Sequence, residues 1–177
     1  MLYLYYKEVR KMRVMSIDAS TKSTGIAIFF DGKLETYKCL TENSKDVYKR
    51  IPNMADQILK VCEEYKPDAI IMEDVIPEDC GHKSSTFKAL MYLQGQIVLV
   101  LHDDFPEIEF YVSSEWRKKC GIKTGPHIKR PQLKAAAMKK VKEDYSIEAN
   151  DDICDAICIG WAYTHETIVT EDGFEFK

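Results

Sequence analysis

The sequence predicts an α/β protein: a mixed five-stranded sheet whose first three strands run antiparallel, flanked by helices. Two observations carry this. Apolar runs on either side of Asp31-Gly32 form the strongest hairpin signal in the chain. After Ser44, segments with a 3.6-residue apolar period alternate with apolar runs of strand length, the mark of helices packed on a sheet.

Taken in order, Arg13–Asp18 is a compact apolar strand that ends in a carboxylate, Thr24–Phe30 a second strand and Lys33–Leu40 a third. Ser44 can cap a helix carrying Val47, Ile51, Met54, Ile58 and Cys62 on one face, and Pro67 stops it. Asp68–Glu73 is a short strand whose unbroken apolar run predicts burial on both faces, and it too ends in a carboxylate. Ser85–His102 is apolar on most sides and predicts a helix that packs centrally, against the core or against a partner. Glu107–Val112 is a fifth strand. Ser113–Arg130 has the chemistry of turns, with Gly121, Gly125 and Pro126. Pro131 suits the first turn of a helix reaching Tyr145, and a last helix runs from Asn150 to about Glu166.

A length of 177 residues predicts one domain, with residues 1–11 a possible N-terminal extension and 167–177 a C-terminal tail. At 45% hydrophobic and 31% charged, the chain can bury a core and is not of a disordered class. The longest strongly apolar stretch, Ile97–Leu101, is far too short to span a membrane. Lys7 and Glu8 interrupt the apolar start, so no cleavable leader is expected. Six cysteines without a CxxC pair predict reduced thiols and a cytoplasmic protein. The histidines at 82, 102, 127 and 165 have no ligand spacing. Cys80-Gly-His82 and Cys154/Cys158 each lack a second half for zinc, so small core thiols are expected.

Four acids stand out by placement. Asp18 and Glu73 end strands, while Asp152 and Asp155 are three apart on one face of the last helix. Strand ends beside a helix N-terminus would bring them together, and like charges about 4 Å apart repel by about 4 kcal/mol at an effective dielectric of about 20. Such a cluster persists when acids are protonated or divalent cations neutralise them. All-oxygen ligands suit Mg²⁺, with Mn²⁺ as substitute, and a pair of such ions can drive phosphodiester hydrolysis. The bland alternative is that strand-end acids are turn residues and that Asp151 and Asp152 simply cap a helix.

Ile17-Asp-Ala-Ser-Thr-Lys-Ser-Thr-Gly-Ile-Ala-Ile28, Ile71-Met-Glu-Asp-Val75 and Asp151-Asp-Ile-Cys-Asp-Ala-Ile-Cys-Ile159 together resemble the RuvC family of Holliday-junction resolvases, and in particular its phage-borne branch. Ser114-Glu-Trp-Arg-Lys-Lys and Lys129-Arg-Pro-Gln-Leu-Lys134 look like that branch too. The resemblance implies an RNase H-like fold, a homodimer, and Mg²⁺-dependent paired nicking of four-way DNA junctions that leaves 5′-phosphate and 3′-hydroxyl ends. It places Asp18, Glu73, Asp152 and Asp155 on the family's catalytic, metal-holding tetrad, with Asp18 bridging two ions. It makes the helix Ser85–His102 the expected dimer seam. Cellular bacterial members carry an aromatic residue three positions after the Glu; here that position is Ile76, which predicts looser cleavage selectivity and other branched substrates.

The net charge of −4 speaks against a generally basic coat protein, but residues 113–142 carry ten Lys/Arg against Glu115 alone, a segment of +9 against a remainder of −13. Beside a cluster of acids, this is the expected phosphate track: Arg117, Lys118, Lys119, Lys123, Lys129, Arg130 and Lys134. Lys129 or Arg130 best matches the family's active-site lysine, and Lys129 is the expected catalytic cation, with Lys134 left open. Trp116 is expected to anchor the core rather than stack on a base. Three rivals remain: an RNase H-type nuclease acting on RNA:DNA hybrids, a catalytically silent branched-DNA-binding module, and an ATP-handling protein suggested by the Asp18–Gly25 loop, for which one such loop is too few.

Overall fold

The computed structural model describes residues 11–80, 83–165, 168–169 and 175–176. The expectations for residues 1–10, for His82 and for most of the tail fall outside these. Five strands, β1 (Arg13–Asp18), β2 (Ser23–Phe30), β3 (Lys33–Thr41), β4 (Ala69–Glu73) and β5 (Ile108–Tyr111), form one sheet in the order β3-β2-β1-β4-β5. β1, β2 and β3 are antiparallel in hairpin succession, while β4 is parallel to β1 and β5 to β4. The expected mixed sheet is therefore present. Asp31 (φ 51°) and Gly32 (φ 73°) both take the left-handed conformation that a tight two-residue hairpin demands.

Strand parity divides the core into two layers. Met15, Ile17, Ile26, Ile28, Ile70 and Met72 point to one face, where they meet α1 (Val47–Tyr65) and α2 (Ser84–Leu101). Val14, Ala27, Phe29 and Ile71 point to the other, covered by α3 (Ser113–Lys119), α4 (Arg130–Tyr145) and α5 (Asp151–Thr164). By the same alternation Asp18 and Glu73 belong to the α5 face. Ser16, between Val14 and Asp18, donates a 2.7 Å hydrogen bond to the Ala156 carbonyl and so locks β1 to α5.

Three local readings are corrected. The N-cap of α1 is Asp46, whose carboxylate accepts from the Tyr48 N–H at 2.9 Å; Ser44 instead accepts from Asp46 N–H, one step earlier. The segment after β5 is not all turns: α3 occupies Ser113–Lys119, started by Glu115 reaching back to the Val112 N–H (3.2 Å) and ended by Gly121 at φ 71°. Finally, α2 is not covered on most sides. Leu93, Ile97 and Leu101 are buried, but Met91, Tyr92 (56% exposed), Val98 and Leu99 (70% exposed) face outward. Within the tail, 168–169 pair antiparallel with 175–176.

Candidate active site

The sheet delivers two of the four acids by itself. β1 and β4 are parallel neighbours with Ile17 opposite Met72, so Asp18 and Glu73 leave the same end of the sheet side by side. The turn after Asp18 is tied by Thr24, whose hydroxyl donates to the Ser20 carbonyl (2.8 Å) and accepts from the Ser20 N–H (3.0 Å). The other two acids arrive with α5. Asn150 caps that helix through a 3.0 Å bond from the Ile153 N–H, which sets Asp151 and Asp152 in the first turn, where the helix dipole favours negative charge. α5 lies against β2 because Gly25 has no side chain to hold it off; a Cβ there would come within 1.9 Å of the Asp152 carbonyl oxygen.

All four acids line one cleft of about 940 Å³. Burial, then repulsion from Glu73, Asp155 and Asp152, pushes the Asp18 carboxyl well above its usual range, against the pull of Lys134. Asp155 is 6% exposed, and burial followed by repulsion from Glu73 raises it to about 7, although Arg117 and Lys134 oppose the shift. Its Oδ1 is buried with no hydrogen-bond partner among the described residues. Glu73 Oε2 accepts a 2.7 Å bond from Trp116 Nε1 and lies 3.9 Å from an Arg117 guanidinium nitrogen. Asp152 Oδ2 accepts from the Ser23 hydroxyl, and Asp151 accepts from Lys134 Nζ.

Among the described residues, no three Asp, Glu, His or Cys side chains converge closely enough to grip one ion. One oxygen of Glu73 is taken by Trp116 and one of Asp152 by Ser23, while both residues line the cleft. The donor set nonetheless fits a hard divalent cation: four carboxylates share one cleft, two of them are held against ionisation by burial and by repulsion from Glu73, and one buried oxygen has no partner among the described residues. A turn residue or a cap needs no company of like charges, yet Asp155 is buried and Asp18 half-buried, each beside Glu73 and Asp152.

Of the seven cations expected to follow phosphates, Arg117, Arg130 and Lys134 line the cleft. Lys118, Lys119, Lys123 and Lys129 are exposed and do not line it; Lys119 packs over the Tyr111 ring at 4.2 Å. Lys134, rather than Lys129 at the N-cap of α4, is the lysine whose charge acts on both Asp18 and Asp155. Trp116 is fully buried, as expected of a core anchor. Sequence reasoning missed Arg50 of α1 and Lys83, which precedes α2; both line the cleft. Neither lies in a basic run. Arg50 is held by the Ser44 carbonyl (2.8 Å) and donates to Thr21 (3.4 Å), in the turn after Asp18.

No family model matches the chain. A crossover junction endodeoxyribonuclease RuvC of Ehrlichia ruminantium, strain Gardel, is 29% identical over 157 residues, covering 83% of this chain and 95% of the relative. The chain is RuvC-like. Among solved structures, RuvC of Thermus thermophilus in complex with a Holliday junction substrate matches with a TM-score of 0.66 at 12% identity, over 85% of this chain and 92% of that one. Fowlpox virus resolvase, solved with substrate Holliday junction DNA, matches with a TM-score of 0.54 at 16% identity, over 86% and 97%. The RuvC-like chain thus has the RNase H-like fold that its motifs imply, and Asp18 and Glu73 end its middle strand and that strand's parallel neighbour.

Proposed function

We propose that this chain is a divalent-metal-dependent, structure-selective DNA endonuclease that resolves four-way (Holliday) junctions, and other branched DNA, by paired symmetric nicking in recombination, repair or phage DNA processing. The observation that carries this reading is the meeting of Asp18, Glu73, Asp152 and Asp155 in one cation-lined cleft of a RuvC-like chain.

In this reading the four carboxylates hold Mg²⁺, with Mn²⁺ able to substitute, as a pair of ions. Divalent cations bound there supply Lewis acidity for water activation and for the leaving oxygen of an in-line displacement. The protein's own part is to bring the phosphodiester to that point. Lys134, paired with Asp151 beside the acids, meets the scissile phosphate. Arg117 and Arg130, with Arg50 and Lys83, take the neighbouring phosphates, so that a polyanion can approach four carboxylates. Lys118, Lys119, Lys123 and Lys129 extend the track outside the cleft. Cleavage leaves 5′-phosphate and 3′-hydroxyl ends that can be rejoined.

Paired nicking requires two such sites. The outward apolar stripe of α2, from Met91 and Tyr92 to Val98 and Leu99, supports a homodimer seam. The six free thiols support a reducing, cytoplasmic setting. No described helix is long and apolar enough to cross a membrane.

The test is a labelled panel of four-way junction, fork, linear duplex and RNA:DNA hybrid, each with and without Mg²⁺ or Mn²⁺. The proposal expects symmetric, ligatable nicks in the junction that need metal and disappear in Asp18→Asn. An intact junction, or an Asp18→Asn protein that cuts as well as wild type, rejects it. Cleavage confined to the hybrid would make the chain an RNase H-type nuclease instead.

A further inference from the structure

We propose that Trp116 is a positioning residue for Glu73, and that its indole N–H, braced by Arg117, sets the orientation in which the Glu73 carboxylate meets a divalent cation. This rests on the reading of Glu73 as a metal-holding acid given above.

Trp116 is the largest fully buried side chain of the α5-side core, and it sits on α3, a helix of only seven residues. A buried indole needs an acceptor for its N–H. Its acceptor is Glu73 Oε2, 2.7 Å away, at the end of β4 and 43 residues earlier in the chain. An apolar anchor at this position would fill the same space with leucine or phenylalanine and make no such bond. The next residue, Arg117, stacks its guanidinium 4.4 Å from the Trp116 ring, lies 3.9 Å from the same Glu73 oxygen, and lines the cleft. Its Nε is buried with no hydrogen-bond partner among the described residues, so the guanidinium is held in place by the ring and the carboxylate rather than by a full set of bonds.

The consequence is geometric. Glu73 is a long side chain at a strand end, free in principle to swing among several rotamers. Fixing Oε2 from the protein side removes that freedom and presents the carboxylate to the cleft in one way. Partners that orient a metal-holding group from behind in this manner typically matter by about 10- to 100-fold in metal affinity or activity.

The experiment uses Trp161→Phe, which leaves Trp116 as the lone tryptophan, together with Trp116→Phe, which keeps an aromatic ring and removes the N–H. Mg²⁺ is titrated while tryptophan emission is recorded, its binding is measured by calorimetry, and junction cleavage is followed as a function of Mg²⁺. The expected result is an emission change in Trp161→Phe that saturates with Mg²⁺ and is lost when Glu73→Gln is added. Trp116→Phe, shown to be folded by a cooperative melt, should need about 10- to 100-fold more Mg²⁺ for half-maximal binding and cleavage. Its cleavage rate at saturating Mg²⁺ should recover most of the wild-type value. Emission that ignores bound Mg²⁺, or a Trp116→Phe protein with unchanged Mg²⁺ affinity, overturns the assignment. If Trp116→Phe does not fold, the emission titration decides alone. Wild-type protein that binds Mg²⁺ and shows the emission change yet cuts no junction would reject the nuclease reading while leaving the role of Trp116 standing.

Discussion

Gly25 backs directly onto the main chain of Asp152: a Cβ on Gly25 would lie 1.9 Å from the Asp152 carbonyl oxygen and 2.4 Å from its carbon. The neighbour is backbone, so no side chain can step aside. Gly25→Ala must lift the N-terminal turn of α5 from β2, and with it Asp152 and Asp155. The expected cost is about 1–3 kcal/mol of stability, in line with other overpacked cores, and a larger fractional loss of cleavage. Urea unfolding and junction cleavage measured side by side check this; a variant that keeps both would show that α5 docks differently.

Asp155 titrates near pH 7 in the folded protein, against about 3.9 in an unfolded chain. The folded state therefore binds this proton more tightly, and the contribution is fully present below the unfolded value and lost as pH rises through about 7. Asp18 is shifted in the same direction. The metal-free protein should melt at a lower temperature at pH 8 than at pH 5, and Mg²⁺ should raise the midpoint more at pH 8. A midpoint that rises with pH in the absence of metal contradicts this.

The same buried charge predicts a trade between stability and activity. Asp155→Asn removes a carboxylate that is buried with an unpartnered oxygen. Metal-free Asp155→Asn should melt above wild type at pH 8, gain little from Mg²⁺, and cut no junction. A variant less stable than wild type at pH 8 would mean that Asp155 is not held against ionisation.

Lys134 and Lys129 lie five positions apart and separate cleanly by experiment. Lys134→Ala should lower the cleavage rate by about 100-fold, the scale for losing one electrostatic contact to a reacting group. Lys129→Ala should leave the rate at saturating DNA near wild type and reduce the salt slope of binding by about one. The reverse pattern would return the catalytic role to Lys129.

Leu99, 70% exposed on the outward stripe of α2, offers a direct probe of pairing. Leu99→Glu should convert a dimer to a monomer by light scattering and replace paired nicks with single ones. A Leu99→Glu protein that stays dimeric places the seam elsewhere.

The sheet could be read from sequence because strands and hairpins leave local marks: Asp31-Gly32, the apolar runs, and a carboxylate ending β1 and β4. So could the four acids, since their elements were already placed. α3 was missed because seven residues span too little of a helical period, and because Gly121, Gly125 and the lysines around them speak for turns. The outward half of α2 could be read as apolar but not assigned to core or partner, because an apolar residue looks the same in either place. Lys134 was named among the cations but could not be ranked above Lys129, because its effect on Asp18 and Asp155 depends on how α4 packs. Arg50 and Lys83 were missed because only the fold brings them to the cleft. The Trp116–Glu73 bond has a fainter sign: a tryptophan expected to be buried must find an acceptor somewhere.

The parity that sends Glu73 to the α5 side has a consequence for how this protein can change. Deleting one residue within Ala69–Met72 would shift every following side chain of β4 by one step and carry Glu73 into the layer of α1 and α2. That change would strand a carboxylate among Ile58, Leu93 and their neighbours and leave Asp18, Asp152 and Asp155 in the cleft without it. A change of two residues would restore the parity, so the length of β4 is constrained in steps of two. The exposed lysines on α3 and before α4 are under no such constraint, because their placement does not depend on strand parity.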